Sequence, residues 1–154
     1  MSIEKNDTGS WQEALYIALA VIGLVGAWAQ TLGYFSAGPL GGNLAFWKDT
    51  VTTPASIFLV VDIFVLAAAL SVWMFAECRR LGISQAWAWA YFLGSALIAI
   101  SCAFPLFLAH RQRLLRTQRP DQNVAAQGAD LIGVAIAVLL AAVAVYYSFT
   151  HLPA

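Results

Sequence analysis

The chain has 154 residues, of which 61% are hydrophobic and only 10% charged, a balance far from that of soluble globular domains and typical of proteins that live in a bilayer. Eight Lys and Arg against eight Asp and Glu leave no net charge, so no long-range field gathers an anionic substrate, and no nucleic-acid partner is expected. The two cysteines, Cys78 and Cys102, have neither metal nor redox spacing and read as free thiols, so no metal site and no cofactor is predicted.

The opening Met1 to Ser10 is polar and mixed in charge, unlike the basic start of a signal peptide. From Trp11 to Phe35 the chain is apolar for longer than the roughly 20 residues a crossing needs, so a retained first span is expected over about 12–34. Trp11 and the Tyr34-Phe35 pair bracket it as interfacial aromatics, and Gly23 with Gly26 offers a neighbour a close approach. Gln30 is its one strongly polar side chain away from the start. The connection from Ser36 to Thr53 carries Gly38-Pro39-Leu40-Gly41-Gly42, which should break any helix, and then Phe46-Trp47, expected to dip into the interface.

A second span is expected over 54–77, opened by a Thr53 cap and by Pro54 in the first turn. Leu81-Gly82-Ile83-Ser84 forms a tight link to a third span over 85–109, and so short a link makes the two antiparallel neighbours. From His110 to Gln127 the chain is polar, with Arg111, Arg113, Arg116 and Arg119, and Pro120 stops any helix there. A fourth span over 130–149 is nearly pure Ala, Val, Leu and Ile. The expected fold is therefore all-α: one domain, 1–154, forming an integral membrane bundle of four transmembrane helices. Lys48 plus four arginines would lie on one side, against Lys5, Arg79 and Arg80 on the other, which places the termini outside by the positive-inside rule.

Asp62 is the sharpest chemical feature. It lies about 12 Å below the start of its span, where an ionised carboxylate costs several kcal/mol unless it is neutral, paired or wet. Were the third span to return to the surface where the second begins, Ser101 would sit level with Asp62. Pro105 removes the donor to the Ser101 carbonyl, and Gln30 approaches the same half of the bilayer. The expected polar cluster is Asp62, Ser101 and Gln30, with Pro105 freeing the carbonyl, and Asp62 is the candidate catalytic acid. Glu77 lies about 22 Å farther along the same helix, so the two carboxyls cannot share one substrate atom. Glu77 is spaced to pair with Arg80. With Arg79 and Arg111, these are read as an interfacial clamp.

The run Val72-Trp73-Met74-Phe75-Ala76-Glu77-Cys78-Arg79-Arg80-Leu81-Gly82, followed by Trp87, Tyr91, Leu93-Gly94 and Ala99-Ile100-Ser101-Cys102-Ala103-Phe104-Pro105-Leu106-Phe107-Leu108-Ala109-His110-Arg111, resembles small bacterial membrane proteins of the domain of unknown function 2834 family. The resemblance covers about 14–115 and implies a three-span core with the fourth span as an appendage. It implies a bacterial inner-membrane location, and the family has no activity to carry over to this chain.

Two classes of function follow. The favoured one is a non-catalytic multi-pass protein in the lipid bilayer, either an accessory subunit of a larger membrane complex or homo-oligomer, or a binder of a lipid, isoprenoid or pigment. The alternative is a small membrane enzyme of the isoprenoid cyclase or isomerase type, with protonated Asp62 as general acid.

Overall fold

The computed structural model describes residues 10–118 and, beyond them, Ile132, Ala135, Leu139, Ala142, Val143 and Tyr146. Among the described residues the regular structure is helical throughout: α1 (Ser10–Ala29), a 3-10 segment (Leu32–Ala37), α2 (Gly38–Asp49), α3 (Pro54–Leu81), α4 (Gln85–Gly94), one π-helical turn (Ser95–Ala99) and α5 (Ile100–Gln118). Three helical stretches are long and apolar enough to cross a membrane: Ser10–Ala29, Pro54–Leu81 and Gln85–Gln118. The expected fourth span lies outside the described residues apart from the six named above.

The ends of α3 follow local chemistry. Thr53 and Ser56 cap each other's backbone N–H at the start, with Pro54 in the first turn where its missing donor costs nothing. At the other end Gly82 turns left-handed at φ 72°, and the Ile83 N–H reaches back 2.8 Å to the Cys78 carbonyl, closing the helix and folding Ile83 into the core.

The third stretch does not cross as one rod. In a straight helix Gly94 and Ala103 would be about 13 Å apart. A Cβ built on Gly94 would instead lie 3.4 Å from the Ala103 Cβ. Tyr91 stacks edge-on against Phe107 at 5.4 Å, and the Trp87 and His110 rings are 5.9 Å apart. The chain therefore doubles back across the π turn, and α5 runs antiparallel to α4 and parallel to α3. This overturns a third span running from the 82–84 hinge to the opposite surface: Arg111 ends beside Glu77, close to the hinge. The expected antiparallel neighbour of α3 is α4 alone, through Phe75 against Trp89 and Phe92.

Helix α1 completes the bundle antiparallel to α5. Gln112 donates to Gln12 at 2.8 Å, Arg116 pairs with Glu13 at 2.9 Å, and Trp28 Nε1 donates to the Ile98 carbonyl at 3.2 Å. The last of these satisfies a carbonyl in the π turn, where the regular helical ladder is interrupted. The core sits at the hinge end: Met74, Cys78, Leu81, Ile83, Ala88, Phe107 and Leu115 are buried together.

Away from the hinge the described helices thin out. Most of α3 from Pro54 to Leu70 is exposed, touched by α2 through Trp47 and Phe64 rings 5.8 Å apart. Contrary to expectation, Gly41 and Gly42 lie inside helix α2 rather than breaking it. Gly42 is buried where a Cβ would fall on the Tyr34 carbonyl, so the glycine there allows α2 to close against the preceding segment.

Candidate functional site

The residues singled out by sequence separate into two groups. Asp62 is exposed on the thin half of α3. Ser101 faces α1: its hydroxyl donates to the Gly23 carbonyl at 3.3 Å, and its own carbonyl, which Pro105 leaves without an amide donor, lies where a Cβ on Gly23 would be. The proline effect is real, but its beneficiary is the α1–α5 contact. Gln30 follows the end of α1, with its Nε2 buried and without a hydrogen-bond partner among the described residues. Asp62 and Ser101 are not brought together. Trp73 is level with Phe104, so Asp62 lies about 16 Å beyond that level and Ser101 only about 4.5 Å beyond it. The level count failed because it assumed a third span of full depth.

At the hinge end the chemistry is concentrated. Glu77 is 6% exposed and accepts from Arg80 Nε at 2.7 Å and Nη2 at 2.6 Å, and from Arg111 Nε at 2.7 Å. Arg111 also lies over the Trp73 ring, 5.9 Å from its centroid. One carboxylate thus ties α3 to α5 through charge-assisted bonds. Arg79 is exposed and lies outside these pairs.

Behind this knot the Tyr91 hydroxyl and His110 Nδ1 share a hydrogen bond of 2.9 Å. His110 then lines a cavity of about 310 Å³ with Leu81, Gly82, Ile83, Ser84, Trp87, Leu114 and Gln118. His110 lay outside the expected spans in the sequence reading and carried no role there. The available signal was its spacing: His110, Leu114 and Gln118 recur every fourth residue on one face of α5. Among the described residues no group of three His, Cys, Asp or Glu side chains could hold a metal ion.

This arrangement can bind through an apolar wall and a few polar groups, and it can brace two helices. No curated protein and no solved structure matches the chain. A family model described as protein of unknown function DUF2834 matches residues 15–113, more than half of the chain and nearly the 14–115 expected from its motifs. The chain belongs to that family.

Proposed function

We propose that this is a multi-pass membrane protein without catalytic activity of its own, acting as an accessory subunit that docks through the thin half of α3. The observation that carries this reading is Asp62, exposed on an apolar helix surface. At that depth an unsatisfied acid costs several kcal/mol, and a donor on a partner helix removes the cost. The segment expected as the fourth span offers no polar side chain between Asp130 and Tyr146, so the donor comes more readily from another chain. The reading of Asp62 as a general acid in a cyclase or isomerase gains no support, because Ser101 is turned to α1 and the cavity described above lies at the opposite end of α3.

Purification in mild detergent followed by mass spectrometry tests this. A stoichiometric membrane partner, or a second copy, should accompany the wild type and be lost from Asp62→Leu. Recovery of the same partner with Asp62→Leu, or of a monomer alone from the wild type, would overturn it.

The fold also supports an orientation opposite to that expected from four straight spans. With α5 returning to the hinge, Arg79, Arg80, Arg111, Arg113 and Arg116 share one end of the molecule, whereas Lys48 stands toward the other. The hinge and the start of α1 then face the cytoplasm.

A further inference from the structure

We propose that the hinge-end cavity binds the headgroup of an anionic phospholipid, with its phosphate at His110 and Arg113 and its glycerol and upper acyl carbons against Trp87, Leu81, Ile83 and Leu114. This rests on the membrane reading above and adds a ligand to it.

Three independent features converge. The cavity lining is mixed, with Leu81, Ile83, Leu114 and Trp87 supplying apolar surface and Ser84, His110 and Gln118 supplying polar atoms. That is the division an amphiphile has at the junction of headgroup and chain. Its histidine is held in place: the Tyr91 hydroxyl and His110 Nδ1 share a 2.9 Å hydrogen bond while the residue lines the cavity.

The charge at this end is also unevenly committed. Glu77 engages Arg80 and Arg111, and Glu13 engages Arg116, while Arg79 and Arg113 are exposed outside those pairs. Arg113 lies three residues after His110, on the adjoining face of α5. Five arginines against two glutamates make this end cationic among the described residues, and the opposite end has Lys48 with Asp49 and Asp62. A cationic end with an amphiphile-shaped cavity suits the anionic leaflet facing the cytoplasm.

The test uses the full-length protein in detergent. Native mass spectrometry measures retention of dioleoyl-phosphatidylglycerol against dioleoyl-phosphatidylcholine. Wild type should prefer phosphatidylglycerol by about fivefold or more, the gain expected from one additional arginine contact. Arg113→Gln should bring the ratio near unity, His110→Phe should lower it while keeping the ring, and Lys48→Gln at the other end should leave it unchanged. Equal retention of the two lipids by wild type, or an undiminished preference in both Arg113→Gln and His110→Phe, would overturn the proposal. Flotation of wild type with neutral phosphatidylcholine vesicles reports on the membrane reading separately, because it does not depend on the headgroup.

Discussion

Gly23 shows how much a single side chain's absence can organise. The Ser101 Cβ is 2.9 Å from where a Gly23 Cβ would stand, and the Ser101 carbonyl is closer still, so the obstacle is backbone that cannot swing away. Gly23→Ala should therefore push α1 from α5 and cost about 1–3 kcal/mol. Gly33→Ala, with nothing within 4 Å of its Cβ, should be nearly neutral or slightly stabilising. Thermal unfolding in detergent separates the two, and equal stability of both variants would contradict this contact. Glu77 is the second position where one residue governs several. Glu77→Gln leaves Arg111 and Arg80 without their carboxylate, at a cost of about 1–3 kcal/mol. Arg80→Gln should cost less, because Arg80 is 46% exposed and its charge is largely screened by water. The same unfolding measurement should rank Glu77→Gln below Arg80→Gln in stability. Gly23 was legible in the sequence as a close-approach site, and the Glu77–Arg80 spacing was legible as a pair. Arg111 was legible as a member of the same clamp, but its direct bond to Glu77 was not, since nothing local brings residues 34 positions apart into contact.

Among the helices, α1 ends at Ala29, short of the expected 34, but the start and stop of α3 follow from local sequence, because a cap, a proline and a left-handed glycine act within one turn. The reversal between α4 and α5 does not. Residues 85–109 are uniformly apolar, and no proline or polar cluster marks Ser95–Ala99, so periodicity reads straight through it. What fixes the turn is long-range: Trp28 holds the Ile98 carbonyl, Tyr91 meets both Phe107 and His110, and Gly94 is small where Ala103 passes. A direct check is the pair Gly94→Cys and Ala103→Cys in a chain with Cys78 and Cys102 replaced by alanine. Their Cβ separation suits a disulfide, so oxidation should close a bridge within one chain. A straight helix would keep the two thiols about 13 Å apart, and no bridge would form. The same reversal explains why Ser101 does not meet Asp62: its level follows from counting along a rod that is in fact bent double.

For the whole molecule, the reversal redistributes charge between the two ends and so bears on how the chain sits in a bilayer. Single cysteines at Ser84, in the hinge, and at Asn43, on the exposed surface of α2, report this in the same cysteine-free background. In intact cells a membrane-impermeant maleimide should label Asn43→Cys and spare Ser84→Cys until lysis. The reverse pattern would place the hinge outside. The taper described above has a mechanical consequence as well. Among the described residues α1, α3, α4 and α5 all reach the hinge end, whereas the exposed stretch of α3 around Phe64 has α2 beside it. A wedge of that kind displaces more area from one monolayer than from the other, so its elastic energy changes sign with the direction of bilayer bending. The described helices are thereby coupled to local curvature through their outline.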